Sequence, residues 1–437
     1  MSQPEVVVVA GLVYGDEGKG TITDAFVRKL GARTVVRYSG AAQAAHNVVT
    51  NHGLHHTFQQ FGAGTFAGAD TFLSEHVLVN PINLLYEARA LADKEVSEPL
   101  GRVSIDSRAR IITPFHVAAN RLRELARGES RHGSCGEGVG ETASDWLACP
   151  TEMISAADLR LSPKILREKL LRVRAIKREH LQLVLAHLRQ PVFGPPSRRA
   201  VDEAEMMLGD DVVVDLCVER YGQIAPRVVD GEAHLDRALA AGPVVFEGAQ
   251  GVLLDEWRGF HPYTTWSTTT FEHALGMLLP RGVAPRRVGV LRTYATRHGP
   301  GPFVTESAGS PHDSCGEHNQ QGPWQGRFRV GHLDLPAVRY AAAACGGLDE
   351  VALTHVDRLR DTNPVCVGYE NLRGLRFEPS EDRDLGRQEA LTRALFEATP
   401  VYEKKSAHEI PKLVEGFAGA PVRLLSYGPR ARDKSWT

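Results

Sequence analysis

An aspartate and a lysine inside a run of glycines, Gly15-Asp16-Glu17-Gly18-Lys19-Gly20-Thr21, are the first residues of this chain that could do chemistry. Backbone N–H groups at the start of a helix form a cradle for phosphate, glycines let the anion come close, and a lysine neutralises its charge. The run is not a Walker A loop, which needs a glycine five residues before Gly18, where this chain has Val13. Asp16 is the informative residue, because an acid inside a phosphate cradle is repelled unless it binds a metal or handles a proton. A second candidate is the stretch from Arg37 to Asn47, in which small residues around Gln43 and Ala45 lead to His46 and Asn47, so that backbone and imidazole can approach a ligand closely. An isolated histidine is more commonly structural. The neighbouring His52, His55 and His56 have no acidic or cysteine partner beside them for a metal site and read as an exposed turn. Further along come Glu247-Gly248-Ala249-Gln250-Gly251 with Thr264 and Thr265 after it, Thr296-Arg297-His298-Gly299-Pro300, Gly326-Arg327-Phe328-Arg329, Thr354-His355-Val356-Asp357 and Ser426-Tyr427-Gly428-Pro429-Arg430. Each alone is weak evidence, since arginines and threonines in loops are usually solvated.

The elements around these segments alternate short β-branched runs with helical stretches. Val6 to Leu12 reads as a strand buried on both faces, followed by the glycine turn, a helix from about Thr21 to Leu30 and a second strand from Arg33 to Tyr38. Val212 to Cys217, Val244 to Glu247, Val288 to Arg292, Glu350 to Thr354 and Val422 to Ser426 read as later strands. This pattern predicts an α/β fold with a large, mostly parallel central sheet, flanking helices, and ligands gathered at the carboxyl ends of the strands. Between Pro163 and Gln190 a basic amphipathic helix is expected, its solvated face lying over an apolar stripe of Leu166, Leu170, Val173, Leu181, Leu185 and Leu188, and Pro191 to Pro196 breaks it.

The 437 residues carry 42% hydrophobic and 24% charged side chains with a net charge of -2, so the chain is an ordinary globular protein with no global positive field to recruit nucleic acid or an anionic membrane. Apolar runs fall far short of the roughly 20 residues that span a bilayer, and no cationic leader precedes an apolar stretch, which points to the cytoplasm. The six cysteines, Cys135, Cys149, Cys217, Cys315, Cys345 and Cys366, are scattered without a Cys-x-x-Cys pair and read as reduced thiols.

Taken in order from Ala10 to Arg430, the segments above resemble the adenylosuccinate synthetase family. Members carry Trp-Gly-Asp-Glu-Gly-Lys-Gly, Gly-His-Asn-Ala-Gly-His-Thr, Glu-Gly-Ala-Gln-Gly, Thr-Arg-Val-Gly-x-Gly-Pro-Phe, Thr-Gly-Arg-Arg-Arg-Arg, Thr-Lys-x-Asp and Ser-x-Gly-Pro. The resemblance implies a GTP-dependent ligase that phosphorylates the 6-carbonyl oxygen of IMP and displaces the phosphate with aspartate. On that reading Asp16 is the base at purine N1 and a Mg²⁺ ligand with the carbonyl of Ala45, His46 is the donor to the transferring phosphoryl group, and Gln250 holds the 6-oxyanion. GTP is held by Gly15 to Thr21, Ala45, His46, Asn47, Arg329, His355, Asp357, Ser426 and Gly428, with Asp357 accepting from guanine N1 and N2. The acceptor is held by Gln43, Cys135, Gln250, Thr265 and Arg327, and the amino acid by Gln325, Gly326, Arg327 and Arg329. A single unit over 1–437, with a mainly helical insertion at 100–200 and a substrate-loop region at 293–335, is expected, as is a homodimer.

The departures from the family cluster on the acceptor side. Ser134-Cys135-Gly136-Glu137-Gly138-Val139-Gly140-Glu141 stands where members hold the IMP phosphate with Thr-Thr-Gly-Arg-Gly-Ile-Gly-Pro, and Thr142 to Thr151 lacks the arginine that members reach across the dimer. A carboxylate of Glu137 about 4 to 6 Å from a phosphate dianion costs on the order of a few kcal/mol. Gln43 replaces an asparagine, Ala45 a glycine, Trp266 a serine, His298 a valine and His355 a lysine, and Trp324-Gln325 replaces Thr-Thr. An altered purine-like acceptor or amine is therefore expected. A guanine-nucleotide regulator without catalysis is the rival reading, and retention of Asp16 and His46 speaks against it; a phosphotransferase that stops at the phosphorylated carbonyl is a third.

Overall fold

The computed structural model describes residues 4–190, 195–307, 324–380 and 382–437. Cys315, the first part of the Pro191 to Pro196 break and residues 308–323 of the expected substrate loop lie outside them.

Ten strands form one sheet: β1 (Val6–Gly11), β2 (Thr34–Arg37), β3 (Asp70–Leu73), β4 (Val103–Asp106), β5 (Val228–Val229), β6 (Val244–Glu247), β7 (Arg286–Arg292), β8 (Glu350–Thr354), β9 (Val422–Ser426) and β10 (Lys434–Trp436). Their order is β10-β9-β8-β7-β1-β6-β2-β3-β4-β5, and only the β9–β10 pair is antiparallel. β1 is central because every residue in it can be buried. Val7 and Val9 pack on Ile22 and Phe26 of helix α1 (Lys19–Leu30), while Val6, Val8 and Ala10 face the opposite layer with Phe246 and Leu291. With strands of one direction, the carboxyl ends of β1, β6, β7, β8 and β9 open onto one side of the sheet, as the α/β rule requires.

Over the β3–β5 end lies a helical layer built from α2 (Pro114–Arg127), α3 (Val139–Ala148), α4 (Pro163–Leu188), α5 (Pro195–Gly209) and α6 (Asp211–Ile224). The expected strand from Val212 to Cys217 is the first half of α6. Asp210 accepts a hydrogen bond from the Val212 amide as an N-cap, and burial recurs at Val214, Cys217, Tyr221 and Ile224 with helical spacing, leaving Val212 and Leu216 exposed. The buried stripe of α4 contains Leu166, Leu170, Val173, Leu181 and Leu188 as expected, but Arg174 and Lys177 are buried within it, so its basic residues are not all on a solvated face. The expected exposed turn at His52 to His56 is a hairpin in which His55–Phe58 pairs antiparallel with His46–Val49; His56 is buried, its ring against Phe58 and its Nδ1 2.9 Å from Lys94 Nζ. Among the described residues no helix is long and apolar enough to cross a membrane.

Candidate active site

The loop after β1 owes its shape to backbone strain that glycine relieves and a buried acid that holds it. Gly15 and Gly18 have φ of 95° and Asp16 of 62°, so three residues of the turn are left-handed, a conformation that glycine adopts freely and aspartate tolerates. Glu17, expected to touch nucleotide, points the other way. It is fully buried, accepts from the amides of Val13 (3.0 Å) and Gly15 (2.8 Å), and ion-pairs with Lys19 at 2.7 Å. It therefore shapes the cradle from behind and fixes the ammonium. Gly20 lets the helix pass the next segment: a Cβ there would sit 2.8–2.9 Å from His46.

A cavity of about 1130 Å³ opens at the carboxyl ends of the strands, and most of the expected site meets in it. Its walls include Gly15, Asp16, Gly18, Lys19, Gly20 and Thr21 from the cradle, Gln43, Ala45, His46 and Asn47 from the segment after β2, and Gln250 and Thr265 from the segment after β6. His355 and Asp357 join them after β8, Ser426 and Gly428 after β9, and Cys135 and Gln325 from two further loops. Glu17, Gly326, Arg327 and Arg329 do not line it. Arg329 is held by Glu306 (2.8 Å) and the Gly301 carbonyl (2.8 Å), and Arg327 is largely exposed, 3.5 Å from the same Glu306. In this arrangement the carboxylate partner of both arginines belongs to the chain itself.

Asp16 and His46 each have a partner that sequence reading did not assign. His298 Nε2 lies 2.9 Å from Asp16 Oδ2. Burial pushes the Asp16 carboxyl up, but the hydrogen bond and charge of His298, with Arg292 and Lys19, pull harder and keep it below the ordinary carboxylate value. His46 Nδ1 is 2.6 Å from Glu247 Oε1, and Glu247 Oε2 accepts from the Ala63 amide at 3.0 Å with Arg37 Nε at 3.9 Å. Burial lowers the basicity of His46 against the opposing pull of Glu247, while Glu247, raised by burial, is drawn back below its ordinary value by His46 and Arg37. The result is an imidazole oriented by a buried anion, whose charge favours a second proton on the ring while burial opposes it more strongly. Gln250 sits at φ 56°, its Nε2 3.5 Å from Thr265 Oγ1. Its Oε1 and the Oε1 of Gln43 are buried without a hydrogen-bond partner among the described residues. Buried acceptors of this kind are costly unless a ligand satisfies them.

At the β8–β9 end, Asp357 faces the cavity beside Arg358 (3.3 Å), and the Ser426 hydroxyl and Lys434 ammonium donate to the Gly428 carbonyl at 3.1 and 2.8 Å, fixing that turn. His355 is left-handed at φ 58°, with Thr354 Oγ1 2.9 Å from its Nδ1 and Arg292 3.0 Å from its Nε2. At the opposite end the wall is made by α2, α3, α4 and the loop before α3. Glu137, expected against a phosphate, is not on that wall: Asn83 donates to it at 3.0 Å and Arg121 lies 3.8 Å away. Glu141 is on it, ion-paired with Arg123 (2.8 Å) and Lys177 (2.7 Å), and Lys177 is also 2.7 Å from Asp145.

Known proteins share this chain's sequence pattern and fold. A sequence model described as adenylosuccinate synthetase matches residues 8–435. The adenylosuccinate synthetase of Mycobacterium leprae is 33% identical over 457 residues, covering 98% of this chain and 97% of that protein, and that of Mycobacterium tuberculosis (strain H37Rv) is 33% identical over 458 residues, covering 97% and 96%. Among solved structures, the fully ligated adenylosuccinate synthetase from Plasmodium falciparum superposes with a TM-score of 0.75 at 21% identity over 99% of this chain and 100% of that one. A cyanophage S-2L succinoaminodeoxyadenylate synthetase, bound to dGMP and dATP, gives 0.59 at 17% identity over 100% and 96%. With the family's sequence model spanning nearly its whole length and its motifs gathered around one cavity, this chain belongs to the adenylosuccinate synthetase family.

Proposed function

We propose that this GTP-dependent C–N ligase acts on a purine-like 6-oxo acceptor and an amine, aspartate by family resemblance, through acceptor and amine pockets that have diverged from the family's usual pair. Asp16 takes the ring N1 proton, so that the 6-oxygen attacks the γ-phosphorus of GTP and the bond to the β,γ-bridging oxygen breaks, releasing GDP. His46 donates a hydrogen bond to the transferring phosphoryl group, with Lys19 and the cradle amides spreading its charge. The amine then attacks C6, the C–O bond breaks, and the phosphate leaves with the oxygen. Gln43 and Gln250 bring buried acceptors that the purine can satisfy.

Asp16 and Ala45 line the cavity beside the cradle, where the Asp16 carboxylate and the Ala45 carbonyl would suit Mg²⁺ with substrate phosphates supplying the remaining positions; no group of three or more His, Cys, Asp or Glu side chains that could hold a metal exists among the described residues. When bound, the ion neutralises charge on the phosphates. Asp357, Ser426 and Gly428 receive guanine. The same reading has one catalytic unit over 1–437, with the helical 100–200 segment and the 293–335 loops forming its acceptor and amine sides, working as a homodimer in the cytoplasm.

The observation that carries this reading is the meeting of Asp16, backed by His298, with His46, backed by Glu247, in one cavity with the cradle. Phosphate release from GTP tests it. Release that depends on an added 6-oxopurine and an amine supports the ligase, and Asp16→Asn, which keeps the left-handed turn accessible, should abolish it while GTP affinity changes less than about threefold. Tight GTP binding with no acceptor-dependent release would instead mark a regulator.

A further inference from the structure

On the proposed reading GTP and the reacting carbonyl take the cradle and the β8–β9 end of the cavity, which leaves the wall of α2, α3 and α4 for the rest of the acceptor. Three side chains with a full positive charge line that wall, Arg123, Arg127 and Lys177, and each is matched by a carboxylate on the same wall. Arg123 pairs with Glu141, Lys177 with both Glu141 and Asp145, and Arg127 with Glu124, whose other oxygen accepts from the Gly133 amide at 3.1 Å. Lys177 is only 1% exposed and is set in place by those two acids. The remaining basic groups there are His132, whose basicity burial and Arg127 push down, and His180.

A phosphate monoester is a dianion that offers acceptors only, and its burial must be offset by an excess of positive charge and donors. Here three cations meet three carboxylates, so attraction and repulsion cancel at the wall. The start of α3 offers no substitute: Glu141 occupies its first turn, and the Trp266 ring lies against Gly140, 3.1 Å from where a Cβ would stand. An uncharged group that both donates and accepts is suited to such a wall, since it meets donors on Arg123, Lys177 and Ser144 and acceptors on Glu141 and Asp145.

We infer that the acceptor of this ligase carries, at the end remote from its reacting carbonyl, an uncharged hydrogen-bonding group instead of a phosphate, and is thus nucleoside-like. This rests on the ligase reading, and the test separates the two. Inosine and IMP are titrated calorimetrically into the full chain holding GDP and Mg²⁺, and both are then assayed for acceptor-dependent phosphate release from GTP with aspartate. Inosine should bind about tenfold or more tighter than IMP, and Glu141→Gln, which frees Arg123 and leaves Lys177 paired with Asp145 alone, should improve IMP binding relative to inosine by about tenfold. IMP binding more tightly than inosine to the unaltered chain, or no gain for IMP in E141Q, overturns the inference even if turnover is normal. The comparison on the unaltered chain does not depend on any variant folding. Binding that favours inosine with no phosphate release from any acceptor leaves the charge argument standing and removes the ligase.

Discussion

The anion behind His46 should be worth a measurable fraction of the rate. Glu247 is fully buried, 2.6 Å from His46 Nδ1, and is kept ionised by His46 and Arg37. In the proposed mechanism, as negative charge gathers on the transferring phosphoryl group, the imidazole presents an N–H there while its other nitrogen stays bonded to Glu247, whose charge strengthens that donor. Glu247→Gln keeps the shape and, with its one oxygen on the Ala63 amide, presents its NH₂ to His46, so that a charge-assisted hydrogen bond becomes a neutral one, a loss of about 1–1.5 kcal/mol, or roughly 5- to 13-fold in kcat. The assay is steady-state phosphate release from GTP with saturating acceptor and amine, alongside GTP affinity by titration and a thermal melt. Affinity should move less than about threefold, because Glu247 does not face the cavity. A folded E247Q enzyme with kcat within about threefold of the unaltered one would refute the role given to this pair.

His298→Val restores the residue that family members carry and removes the hydrogen bond to Asp16, so KM for the acceptor should change by about tenfold or more while KM for GTP moves less than about threefold; equal changes would mean that His298 does not govern the acceptor side. Away from the site, His76 and His273 stack at 3.8 Å, and burial pushes the His76 imidazole down to about 3 and lowers His273 as well. Because the folded values lie below the unfolded ones, the stability from keeping the pair neutral is fully present above about pH 6.5 and is lost as pH falls toward 3. Melting temperature should therefore decline across that window, and less steeply in a His76→Phe, His273→Phe variant; parallel curves would contradict the assignment.

Local signals carried the strand, turn and helix at the start of the chain, because a run of valines has to be buried on both faces and Gly18 suits a left-handed cap. The motif residues that end on the cavity were legible from type and order. Their partners were not. Glu247 is 201 residues from His46 in the chain, and only the register of β1, β6 and β2 brings them together. Lys177 looked like one of many basic residues on a solvated helix, and its burial against Glu141 and Asp145 is a tertiary contact that no periodicity announces. The same limit explains α6, where Val212 to Val214 fit a strand as well as a helix until Tyr221 and Ile224 are seen to share a face with Val214. Glu137 shows the converse error, since its charge suggested a clash with phosphate but its side chain turns to Asn83 and Arg121.

In the proposed reaction oxygen moves from the acceptor to phosphorus. A 6-oxopurine acceptor labelled with ¹⁸O at C6 should pass its label to the inorganic phosphate, one labelled oxygen for each C–N bond formed, as read by mass spectrometry. Product formed with unlabelled phosphate, or label retained on the purine, would contradict it.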